Sequence, residues 1–154
     1  MPTIAYAHTN LIARDWRSLA QFYIDVFGCE FVPPERDLSG EWIERMTGVP
    51  GVRIQGCHLR LPGPFAQAPT GPTLEIFSFE PQGPARPRPI DGHGFSHLAF
   101  RVDDVAAVLA EVEARGGSRY GELVQARYPE LGLLTAVYAR DPEGNAIEIQ
   151  SWTA

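Results

Sequence analysis

The chain has 154 residues, 44% of them hydrophobic and 21% charged, the size and make-up of one soluble globular domain or two small fused ones. A net charge of -6 gives no electrostatic attraction to nucleic acid or an anionic membrane, and with thirteen arginines and no lysine any anion site would use guanidinium forks. Two cysteines, and an N-terminus (MPTIAYAH) with neither a basic start nor a long apolar run, lead us to expect a cytoplasmic chain with free thiols and no membrane partner.

In chain order, residues 4–12 read as a strand. Asp15 is a good helix N-cap, because its carboxylate can accept the free N–H groups of the first turn. Trp16, Leu19, Phe22, Tyr23 and Val26 follow helical spacing, and Gly28 stops the helix. The stretch 33–51, with Pro33, Pro34, Gly48, Pro50 and Gly51, reads as a long irregular insertion around a short helix at 41–47. Residues 52–61 and 72–79 read as strands. The segment 81–92, rich in Pro and Gly, is expected to be a linker. A strand follows at 96–102, then Asp104 as a second N-cap before the stripe Val105, Val108, Leu109 and Val112, which ends at Gly116-Gly117. Strands are expected again at 134–140 and 145–152, joined by the turn signal Asp141-Pro142-Glu143-Gly144-Asn145.

This order repeats. Residues 7–28 align without a gap over residues 96–117: His8 falls on His97, Asp15 on Asp104 and Gly28 on Gly117. The run 74–79 (LEIFSF) matches 147–152 (IEIQSW), with Glu75 on Glu148 and Ser78 on Ser151. The single 1–154 domain therefore divides into a first module, 3–80, and a second, 93–153.

Alternation along strands places the repeated residues. Leu74 and Ile76 share one face, while Glu75, Phe77 and Phe79 share the other; Ile147 and Ile149 oppose Glu148, Gln150 and Trp152. The aliphatic faces should pack on the two helices, leaving His, Glu and aromatics on faces that suit a cavity wall. One such residue on the open side of a sheet needs no functional explanation. A His on the first strand and a Glu on the last, twice, is a different matter. His8, Glu75, His97 and Glu148 make a donor set suited to one divalent ion of Ni, Zn, Co, Mn or Fe.

At these residues the chain resembles the vicinal oxygen chelate superfamily, which includes glyoxalase I, methylmalonyl-CoA epimerase, extradiol dioxygenases and the bleomycin and fosfomycin resistance proteins. The pieces that carry the resemblance are HTNLIARDWRSLAQFYIDVFG, FSHLAFRVDDVAAVLAEV and YARDPEGNAIEI. The resemblance implies an α+β fold: paired βαβββ modules forming a cupped, incomplete mixed β-barrel with flanking helices, usually in a homodimer. It also implies a divalent-metal-dependent isomerase or lyase of glyoxalase or epimerase type, enolising a small hydroxy- or keto-carbonyl compound or thioester. The alternatives are an Fe(II) extradiol-type dioxygenase, and a binding protein that sequesters a small molecule or antibiotic. Glu75 favours the glyoxalase-like ligand set over the dioxygenase triad, and residues 125–137 lack the His that the dioxygenase signature wants. Ile12 stands where bacterial glyoxalase I has an arginine that helps hold glutathione, a departure that weighs against a glutathione substrate and leaves glutathione or CoA open.

The expected proton-transfer groups are Glu148 and Glu75, with Glu44 in the insertion as the epimerase-like candidate. Phe77, Phe79, Gln150, Trp152 and His58 are expected to line the substrate pocket.

Overall fold

The structure is a computed structural model that describes residues 4–64, 66, 68, 71–85 and 89–154. Of the expected linker 81–92, residues 86–88 lie outside the described residues, as do 3, 65, 67, 69 and 70 of the expected first module. The chain forms two compact units, Met1–Ala85 and Arg86–Ala154.

The first unit runs β1 (His8–Ile12), α1 (Trp16–Phe27), β2 (Glu30–Leu38), α2 (Glu41–Thr47), β3 (Arg53–Arg60) and β4 (Thr73–Glu80). Its sheet has the order β1-β4-β3-β2, with β1 parallel to β4 and the other pairs antiparallel. Asp15 caps α1, accepting from the backbone N–H groups of Arg17 and Ser18, and Gly28 ends it at φ 67°, a left-handed conformation that glycine adopts without steric cost. Trp16, Leu19, Phe22, Tyr23 and Phe27 are buried; Val26, expected in the stripe, is only half-buried. On the sheet, Cys57, Leu59, Leu74 and Ile76 are fully buried, and α1 packs on β3 and β4. Side chains of this size stabilise by about 1.5–3 kcal/mol each when fully buried.

The insertion is more ordered than its composition suggests. Residues 33–38 continue β2, and α2 occupies the expected 41–47. The two prolines are accommodated because β2 is an edge strand and its register with β3 shifts between Val32 and Arg36, so their missing N–H groups break no regular ladder. Ile43 of α2 is buried with Val52, Ile54 and Phe77, which seats α2 on the opposite sheet face from α1. Strand β1 starts at His8 rather than residue 4, where its pairing with Thr73 of β4 begins.

The second unit runs β5 (His97–Arg101), α3 (Val105–Ala114), β6 (Ser118–Arg119), β7 (Val124–Tyr128), β8 (Gly132–Arg140) and β9 (Ala146–Thr153). Its sheet order is β5-β9-β8-β6, with β7 also paired to β8 and β5 parallel to β9. Asp104 caps α3 through Ala107 N–H, and Val105, Leu109 and Val112 are buried on the same side as Ile147 and Ile149. The β8–β9 turn is held by Asp141, whose carboxylate accepts from the backbone N–H of Glu143 and Asn145 and from the Asn145 side chain. The chain is therefore α+β, with mixed sheets that do not close into a barrel among the described residues. No helix among them is long and apolar enough to cross a membrane.

Candidate metal and substrate site

In the first unit, strand order brings the first strand beside the last. His8 on β1 therefore reaches Glu75 on β4, Nε2 to Oε2 at 3.1 Å. Register does the same for β3: His58 lies directly across from Glu75, and its Nε2 meets Oε1 at 2.8 Å. Asn10, two residues after His8 on the same strand face, donates from Nδ2 to Oε2 at 3.2 Å. Glu75 is buried among these three donors.

The His58 ring is fixed at its other nitrogen by Thr73 Oγ1, 2.9 Å from Nδ1. Burial pushes its pKa below the ordinary histidine value; Glu75 opposes that, while the Arg36 and His8 charges add to it.

In the second unit the duplicated pair is arranged in the same way. His97 Nε2 lies 3.1 Å from Glu148 Oε2, and His97 Nδ1 is 3.1 Å from Ser96 Oγ. Tyr138 sits across from Glu148 in the β8–β9 register and packs edge-on against His97, with ring centroids 5.1 Å apart. Burial raises the Tyr138 pKa, and the Glu148 charge adds to that shift. On the same strand as Glu148, Gln150 accepts from Trp152 Nε1 at 2.6 Å, and Trp152 packs against Tyr128. Both are thus held by their own neighbours.

The first unit contains a cavity of about 480 Å³. Its polar end is His8, Asn10, His58, Glu75 and Arg36. Its apolar end is formed by Leu38, Ile54, Phe77 and Phe79 of the sheet and by one side of α2. Gly56 is needed in this wall: a Cβ there would meet the Phe77 ring at 2.3 Å and the Ile76 carbonyl oxygen at 2.1 Å, so only glycine lets Phe77 lie across β3. Glu44 is half-buried on α2 but does not line the cavity.

Among the described residues, no three or more His, Cys, Asp or Glu side chains are set at the spacing of a coordination shell. The contacts are those of hydrogen-bonded imidazole–carboxylate pairs. The donor chemistry nonetheless fits a divalent ion. A proton shared between an imidazole nitrogen and a carboxylate oxygen is what a metal displaces when it takes both atoms as ligands. In each unit the facing atoms are a histidine Nε2 and a carboxylate oxygen, and in His97 and His58 the remaining ring nitrogen is already near a hydroxyl that orients it.

Asn10 and Arg36 were not among the residues expected from the sequence. Asn10 could have been found from its two-residue spacing to His8. Arg36 could not, because the segment holding it read as irregular.

A sequence model of the family described as "Glyoxalase/Bleomycin resistance protein/Dioxygenase superfamily" matches residues 5–149. An uncharacterized protein of Escherichia coli strain K12, YaeR, is 27% identical over 146 residues, covering 92% of each chain. Among solved structures, a glyoxalase family protein from Bacillus cereus aligns with a TM-score of 0.75 at 20% identity, over 100% of this chain and 96% of that one. A glyoxalase family protein from Enterococcus faecalis aligns at 0.58 and 23% identity, over 96% of each. At such identities the two structures speak to the fold alone.

Proposed function

The chain belongs to the glyoxalase/bleomycin resistance/dioxygenase superfamily, and from that premise we propose that it is a divalent-metal-dependent isomerase or lyase that enolises a small hydroxy- or keto-carbonyl substrate. The observation that carries this reading is the repeated 3.1 Å approach of His8 to Glu75 and of His97 to Glu148. Sequence duplication alone does not require that both copies keep a His and a Glu side chain in contact. His8, Glu75, His97 and Glu148 would be the ligands. When bound, the ion supplies Lewis-acid polarisation of a substrate carbonyl.

The protein's own groups then divide the work unequally. Glu75 accepts from His8, His58 and Asn10, which hold it in place. Among the described residues Glu148 is paired with His97 alone, and it is only half-buried. Glu148 is therefore the carboxylate free to turn, take the proton beside the carbonyl and return it. Glu75 remains a fixed anchor.

Metal content of protein purified without chelator tests this reading. About one Ni²⁺, Zn²⁺, Co²⁺, Mn²⁺ or Fe²⁺ per His₂Glu₂ set is expected, and His97→Ala should lose it. Protein that stays metal-free after loading with each ion, or a His97→Ala variant with undiminished content, overturns it. With metal present, Glu148→Gln should slow proton exchange from 2-hydroxy ketones into D₂O by about 10²–10⁴-fold. Oxygen uptake with catechols would instead mark a ring-cleaving dioxygenase.

A further inference from the structure

Strand β2 carries Glu35, Arg36 and Asp37 in succession, and alternation sends them to different faces. Glu35 is taken by Arg17, with oxygen–nitrogen distances of 2.8 and 2.9 Å. Asp37 is taken by Arg53 at 2.8 and 2.6 Å. Arg36 points the other way and lines the cavity. Its guanidinium donates to the Pro34 carbonyl, and among the described residues it has no carboxylate partner. This cation therefore stands in the chamber wall between the His8–Glu75 end and the apolar end, on the same sheet face as His8, His58 and Glu75.

The opposite end of the chamber has a second unusual feature. Trp42 and Met46 line it, yet remain 55% and 72% exposed. They lie one turn apart on α2, which Ile43 anchors to the sheet. Large apolar side chains left exposed beside a cavity are characteristic of a ligand-binding surface. The chamber's volume, about 480 Å³, is roughly three times the ~150 Å³ that accommodates benzene.

We propose that this chamber binds a small carboxylic acid bearing a 2-oxo or 2-hydroxy group and an apolar arm. The carboxylate pairs with Arg36, and the arm lies along Trp42, Met46 and Phe79. The oxygen next to the carboxylate faces the His8–Glu75 end. That last element rests on the enolising function proposed above; the anion and the apolar arm rest on Arg36 and α2. An arginine fork is suited to this role because it can hold a carboxylate by two parallel hydrogen bonds.

The test compares 4-methyl-2-oxopentanoate with its methyl ester by isothermal calorimetry on the full chain, with Trp42 fluorescence as a second reading. The acid should bind at least about tenfold more tightly than the ester, the usual worth of one charge-assisted hydrogen bond. Arg36→Gln should abolish the difference. Trp42→Phe should remove the fluorescence change while calorimetry still detects the acid. Equal binding of acid and ester, an Arg36→Gln variant that binds the acid as tightly as the parent, or no heat from either compound up to millimolar concentration overturns the proposal. Running each titration with and without Mn²⁺ separates the two readings. Arg36-dependent preference for the acid in a protein that takes up no metal leaves this inference standing and removes the enolising function. Metal uptake without that preference does the reverse.

Discussion

Glu75 and Glu148 occupy equivalent positions in the duplicated sequence, yet their surroundings differ in a way no alignment reports. Glu75 is ringed by two imidazoles and an amide, whereas Glu148 meets one imidazole. The difference comes from β1, where Asn10 has Ala99 as its duplicated counterpart, and from β3. His58 lies across from Glu75, and the corresponding place on β8, across from Glu148, holds Tyr138. A similar contrast between composition and environment applies to the cysteines. Cys29 and Cys57 are free and buried, and burial pushes their thiols up to about 12 and about 11. Native protein should therefore show no fast reaction with a thiol reagent such as DTNB, and two thiols should appear on unfolding. A rapid native reaction with either would contradict their placement in the core. The His–Glu pairs were legible in the sequence because both members sit on duplicated strands with clear alternation. The three-donor cage around Glu75 was not, because it depends on the registers of β1 and β3 against β4, which alternation alone leaves undetermined.

At the scale of elements, legibility followed locality. The bounds of α1 were readable because Asp15 and Gly28 act on their own turns. Replacing Asp15 with Ala should cost about 1 kcal/mol, measured by urea unfolding at neutral pH. Ser18 holds the Asp15 carboxyl below its ordinary value of 3.8, through its hydroxyl first and its backbone N–H second. The sign follows: this contribution is complete above pH 3.8 and is lost as pH falls through the lowered value. The gap between parent and Asp15→Ala should thus narrow in acid; a gap that widens would refute the cap. Strands β2 and β7 were not readable. Pro33-Pro34 suggested a loop, and only an edge position with a shifted register makes them compatible with a strand. Every residue of β7, VQARY, is exposed, so burial left no alternation to detect.

For the whole molecule, ligand occupancy should appear as stability. An ion that binds only the native chain adds about 2.7 kcal/mol at a hundredfold excess over its Kd. For a chain of this length that corresponds to a rise in Tm of about 5–10 °C. Ni²⁺ or Zn²⁺ should produce such a rise by calorimetry, EDTA should reverse it, and a His8→Ala/His97→Ala double variant should not show it. A double variant that responds as fully as the parent would place the ion elsewhere. Family membership was legible because the motifs lie on the duplicated elements. The side of the chamber formed by Arg36, Leu38, Trp42 and Met46 was not, because it is built from an insertion that only the first copy has.

The parallel pairing of β1 with β4 also sets an order in time. Asn10 and Glu75, which meet in the folded unit, are 65 residues apart in the chain. At ribosomal rates of 5–20 residues per second, the N-terminal partners emerge roughly 3–13 s before the carboxylate that they hold. During that interval His8 and Asn10 sit on a strand whose neighbour among the described residues, β4, has not yet been made. The His8–Glu75 pair thus forms only once about half of the 154 residues have been made, and a nascent chain stalled before Glu75 exposes an unpaired β1 edge to whatever chaperone or neighbouring strand reaches it first.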